Sequence, residues 1–262
     1  MAALLPLSPV RRHLLVKDLK VFLRDVSQWS QLLLLLALML VYLYNFRVLD
    51  LEHIPYMSGF LKNIYAFLNL AMAGFVMSTV TVRFVFPSVS AEGAAFWIIR
   101  TAPIKLRDFL WSKFWTGLVP VLVMTEILIV AGNQLLGVDP FLKQLSPVAI
   151  VLWAFAMVGL ATGLGARYPR FAADNATQIA GSYGGVAFMI LAVLFILVNI
   201  VLLGWPSSIY LYAQFRSQPL SSGQEVFIAV MFVVAAIVSV ATCVLGMRTG
   251  VRALETMDRT PS

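Results

Sequence analysis

Six runs of nearly uninterrupted apolar residues decide what this chain can fold into. They cover residues 29–46, 64–86, 114–136, 147–166, 179–204 and 226–247. Each comes close to or exceeds the roughly 20 residues with which a helix crosses about 30 Å of hydrocarbon. Membrane β-strands would instead show as stretches of about ten residues alternating in polarity. The expected fold is therefore an all-α polytopic membrane protein. An N-terminal interfacial segment (1–28) leads into a six-helix transmembrane domain (29–247), and a tail follows (248–262). Composition agrees, since 61% of the 262 residues are hydrophobic and 12% are charged, half the usual charged share of about 25%. Intrinsic disorder is excluded on the same ground. The first run begins behind a long basic segment and no small-residue cleavage site follows it, so it is not a removable signal peptide.

The basic residues orient the spans. Fifteen of the 19 Lys and Arg residues fall in the N-terminal segment, in the connections after the second and fourth runs, and in the tail. Only Arg47, Lys62, Lys143 and Arg216 fall on the other side. The positive-inside rule places both termini in the cytoplasm. It also accounts for the net charge of +7 without nucleic acid as a partner.

Three polar segments on that side carry information. In the first, Leu15, Leu19, Phe22 and Val26 recur at helical spacing while Arg12, Lys20 and Arg24 fall on another face. This is a basic amphipathic helix in the headgroup plane, read either as a generic anchor or as an elbow leading sideways into the first span. The second, residues 86–113, is too apolar for a free loop. Ser90 is expected to cap a short helix with Glu92 in its first turn, Pro103 to end it, and a second helix to start near Lys105. Phe96 and Trp97 form either an interfacial aromatic belt or a surface for a soluble partner. The third, residues 166–175, is read as a solvated turn or a smaller contact on the same face.

Several chemistries find no residues to carry them. There is one cysteine and there are two histidines, both outside the runs, so no disulfide framework, metal centre or catalytic residue is expected. No GxxxxGK[ST] phosphate loop occurs, so this chain is not expected to hydrolyse ATP. Ser182, within Gly181-Ser182-Tyr183-Gly184-Gly185, is read as close helix packing. Glu126 is the one carboxylate at the centre of a run. It marks either a substrate path or a protonated carboxyl hydrogen-bonded by Asn69, Asn133, Gln134 or Asn199. Pro120 in the same run is expected to kink the helix.

With these segments laid out, the chain resembles the bacterial type-2 ABC exporter permeases. The likeness rests on Lys17-Asp18-Leu19 through Gln28-Trp29-Ser30-Gln31 before the first span, and on Gly165-Ala166, Pro169-Arg170-Phe171 and Asp174-Asn175. Its most specific part is the ordered series Arg83-Phe84-Val85-Phe86-Pro87, Ser90, Glu92-Gly93, Phe96-Trp97, Arg100, Ala102-Pro103 and Lys113-Phe114. It runs from about residue 11 to about residue 220. Ala94 departs from it, standing where relatives carry a basic residue.

The resemblance implies an elbow helix, six spans and a coupling helix between the second and third. Glu92, Phe96, Trp97, Arg100 and Pro103 would belong to the coupling element, and Arg170 and Asp174 to a secondary cytoplasmic contact. The partners would be a cytoplasmic ATP-binding-cassette ATPase, a second permease half and membrane lipids, with no cofactor, in the bacterial cytoplasmic membrane. The chain looks like the C-terminal half of longer relatives, either a half-size subunit or a piece of one. The function expected is a permease that exports substrate on energy from the separate ATPase. A non-transporting scaffold that docks a cytoplasmic protein is the alternative.

Overall fold

The computed structural model describes Val16, Lys17, Lys20, Arg24 and residues 26–48, 59–102, 104–173 and 175–259. Among these no strand occurs. A chain in lipid must satisfy every backbone group within its own segment, and helices do this. The elements run α1 (Val26–Val48), α2 (Gly59–Phe84), two 3-10 turns (Phe86–Ser88 and Ser90–Ala95), α3 (Phe96–Thr101), α4 (Leu106–Leu135), α5 (Pro140–Arg167), α6 (Ala176–Ala180), α7 (Tyr183–Phe215) and α8 (Ser222–Arg259). Five of them, α2, α4, α5, α7 and α8, are long and apolar enough to cross a membrane. The first expected span falls on α1, whose described apolar stretch is Leu35–Tyr44. The expected N-terminal amphipathic helix lies mostly outside the described residues; Val16, Lys17, Lys20 and Arg24 are helical.

The helices overrun the apolar runs where helical signals continue into polar sequence. α4 starts at Leu106, in agreement with the helix start expected near Lys105, and runs on through the third apolar run, with Pro120 inside the continuous helix. α5 starts at Pro140, which follows an Asp139 N-cap whose side chain accepts the Phe141 N–H at 2.8 Å. Pro147 is thus inside this helix and not its first residue. α7 continues through Pro206 to Phe215, so the connection expected at 205–224 shrinks to a short turn. α8 runs on to Arg259, so most of the expected tail is helix, with Leu254 fully buried. The fifth run is broken at its start, because the Ser182 side chain accepts the Gly185 N–H and begins α7 afresh after α6.

α5 is the central helix, and its tightest crossing is with α8. Gly159 and Gly163 meet Cys243, Gly246 and Gly250. A Cβ on Gly163 would lie 1.9 Å from the Gly246 carbonyl oxygen, and one on Gly250 would lie 2.8 Å from the Gly163 Cα. Both helices thus carry small residues four apart, the spacing that lets membrane helices approach backbone to backbone. Around this pair Phe86, Phe109, Phe114, Trp153 and Phe188 fill one continuous core. A smaller cluster of Ala66, Leu136, Val138, Leu142 and Leu211 closes the far end, with Phe141 stacked on Tyr210 at 4.4 Å. The outward faces of α7 and α8 are lined with exposed Val, Ile and Leu, as suits helices that meet lipid.

Candidate functional site

The connection from α2 to α4 is built into the bundle end. Phe86 and Val89 are fully buried. The Phe86 carbonyl lies so close to α5 that a Cβ on Gly165 would sit 2.3 Å from its oxygen, and the Phe86 ring packs where Gly184 opens α7. Helix formation does not run straight on from Ser90, because Gly93 adopts φ +52° and turns the chain; that region favours glycine. Ser90 therefore does not cap α3 as expected. Its Oγ accepts the Arg170 N–H at 3.0 Å, tying the connection to the turn after α5. α4 then begins after Lys105, in extended conformation, with Asp108 in its first turn.

α3 divides its side chains by face. Phe96 and Ile99 are buried, and the Phe96 ring stacks on Phe171 at 4.6 Å and tilts against Phe109 at 6.0 Å. Trp97 and Ile98 point away from the bundle, 63% and 52% exposed. Two adjacent large apolar side chains thus stand out on a platform held by its inner face.

Beneath that platform Glu92 sits between two lysines. Lys113 of α4 donates to Oε1 at 2.5 Å, and Lys17 of the N-terminal segment donates to Oε1 and Oε2 at 2.6 and 2.7 Å. The Glu92 and Lys113 side chains are 10% and 7% exposed, while Lys17 is 41% exposed. The Lys113 ammonium also lies 5.4 Å from the centre of the Phe109 ring. Burial alone would raise the Glu92 carboxyl. The two ammonium groups outweigh it and hold the carboxyl below its ordinary value. Glu92 lies past the end of α2, so this pairing belongs to the bundle end.

A family profile described as "Putative ATP-binding cassette" matches residues 1–259. The chain belongs to that family. No curated protein and no solved structure matches it. In this ATP-binding cassette family member, three of the expected positions fall together: Glu92 at the ion cluster, Phe96 inside the platform and Trp97 on its surface. Arg100 is helical in α3, with its side chain outside the described residues, and Pro103 and Asp174 also lie outside them. Arg170 is exposed and joins the platform through its backbone. Among the described residues no group of His, Cys, Asp or Glu is placed to hold a metal.

Glu126 stands apart from the platform, within α4. Its Oε1 is buried with no hydrogen-bond partner among the described residues. The neighbouring-helix donors expected for it are engaged elsewhere: Asn69 donates to Asn133 at 3.1 Å and accepts from Tyr42 at 3.1 Å, and the Asn199 amide donates to the Phe195 carbonyl. Gly184 packs closely against Tyr168 and Phe86 as expected, whereas Gly185 meets the main chain of Ala180 in the turn just before it. The α5–α8 glycines and the roles of Lys17 and Lys113 escaped the sequence reading. The first were signalled by small residues four apart, and Lys113 by its place directly before an apolar run; nothing in the sequence singled out Lys17 from the other bases of its segment.

Proposed function

We propose that this chain is the membrane-spanning permease subunit of a type-2 ATP-binding-cassette exporter, energised by a separate cytoplasmic ATPase. The observation that carries this reading is the Trp97–Ile98 pair, exposed on a platform whose other contacts lead into the bundle. A soluble partner that grips two adjacent apolar side chains has a handle there. A push on that handle passes through Glu92 to α4 and the N-terminal segment, and through Phe171 and Ser90 to the turn after α5. The family match over nearly the whole chain supports the association with an ATP-binding cassette. The absence of a phosphate loop in the sequence supports a motor on another subunit.

On this reading the platform and both termini face the cytoplasm of a bacterial cell. α1 is the sixth crossing, and a second permease half, either another copy or an N-terminal counterpart, completes the pathway. The test is co-purification of the chain with the ATPase encoded beside it. The Trp97→Ala/Ile98→Ala double variant is expected to lose that ATPase and to abolish export while folding normally. Retention of both binding and export would rule out the platform as the coupling element.

A further inference from the structure

At the same end of the bundle, between the turn after α5 and the start of α7, lies a cavity of about 190 Å³ lined by Tyr168, Pro169, Arg170, Ser182, Tyr183 and Gly184. It is smaller than the roughly 300–1,000 Å³ of a drug-sized site. Among the described residues its lining includes one basic residue, Arg170, and no acidic one. The Arg167 guanidinium lies 5.6 Å from the centre of the ring of Tyr168, one of the lining residues. The Tyr168 and Tyr183 rings meet edge-on at 5.7 Å. Tyr183 is 74% exposed, the posture of an aromatic residue at a membrane–water boundary.

From Tyr183 an exposed stripe runs up α7 through Val186, Ile190, Leu194, Leu197 and Val201, at steps of three and four. It spans about 27 Å of helix, close to the hydrocarbon thickness of about 30 Å. We propose that this cavity holds the headgroup phosphate of an anionic glycerophospholipid whose acyl chain lies along the near half of that stripe, the depth of one leaflet. Arg170 supplies the charge-assisted contact, Arg167 adds longer-range attraction from beside Tyr168, and the tyrosines form the interfacial wall. The continuity of the cavity with an apolar stripe selects a lipid over a soluble phosphate, and the basic character of Arg170, with Arg167 on the neighbouring tyrosine, selects an anionic over a zwitterionic headgroup. Arg170 then answers a lipid through its side chain while its backbone holds Ser90. The site stands whether or not an ATPase docks on the platform.

The test is native mass spectrometry on the full chain in mild detergent, after delipidation and addition of dioleoylphosphatidylglycerol, dioleoylphosphatidylcholine or glycerol phosphate. Phosphatidylglycerol is expected to remain bound where phosphatidylcholine is lost. Arg170→Gln is expected to weaken its retention about tenfold, the worth of one charge-assisted contact. Arg216→Gln, at the far end of α7, is expected to leave it unchanged. Because the Ser90 bond uses the Arg170 backbone, the glutamine variant should unfold at the wild-type temperature, and Tyr183→Ala offers a second, independent lesion. Equal retention of both lipids overturns the proposal, as does an equal loss in the Arg170 and Arg216 variants. Displacement by glycerol phosphate would make it a soluble-anion site. A dimer that splits on Arg170→Gln would make the face a contact between copies.

Discussion

Replacing Glu92 with glutamine removes one charge and leaves the shape of the joint intact, so it isolates what the carboxylate does. Its two arms differ in burial. Lys113 is 7% exposed and Lys17 is 41% exposed. Breaking a buried pair by removing one member costs about 3–5 kcal/mol, because a charge is left in a low-dielectric site. An exposed pair is worth only about 0.2–1 kcal/mol. Glu92→Gln keeps an acceptor oxygen, so about 3 kcal/mol is expected. Lys17→Met should cost under about 1 kcal/mol. Glu92→Gln combined with Lys113→Met removes both buried charges and should cost clearly less than the two single changes added together. The assay is unfolding in mixed micelles titrated with sodium dodecyl sulfate, followed by tryptophan fluorescence. Strict additivity, or a Lys17→Met variant as damaged as Glu92→Gln, would refute the reasoning.

Three further outcomes can be checked alongside. Because the Glu92 carboxyl is held below its ordinary value, its contribution is present above about pH 4.5 and is lost as the pH falls through the lower folded value; acid titration of stability should show this loss in the wild type and not in Glu92→Gln. Phe96→Ala should destabilise by about 3–5 kcal/mol, since it empties the stack on Phe171, while Trp97→Ala, on the exposed face, should change stability by less than about 0.5 kcal/mol in the same micelle titration. Gly163→Val should separate α5 from α8 and abolish the folded state in that titration, whereas Gly204→Ala, whose Cβ would meet only Phe67 at 3.8 Å, should be tolerated.

Much of this architecture was legible in the residues because lipid leaves few choices. Long apolar runs become helices, and the five longest described ones lie where hydropathy placed them. Their ends were less legible. The start of α4 could be read near Lys105, but the mostly polar helical turns of 248–259 lie beyond the last apolar run, and the break before Tyr183 depends on one serine cap. In the connection after α2, the presence of an ordered helix could be inferred from Phe96, Trp97 and Ile99. Its true start could not, because that depends on Gly93 taking a left-handed conformation in a particular tertiary setting. The charges of Glu92, Lys17 and Lys113 were visible one by one. Their meeting was not, since it depends on bringing together residues 75 and 21 positions apart.

The α5–α8 crossing limits how the molecule can change shape. Two backbones in contact across four glycines have no side-chain layer between them to slip over, and a shift of one ridge would drive Cys243 or Leu160 into main-chain atoms. These two helices must therefore travel as one strut. Any rearrangement of the bundle has to be made by the remaining helices moving around it.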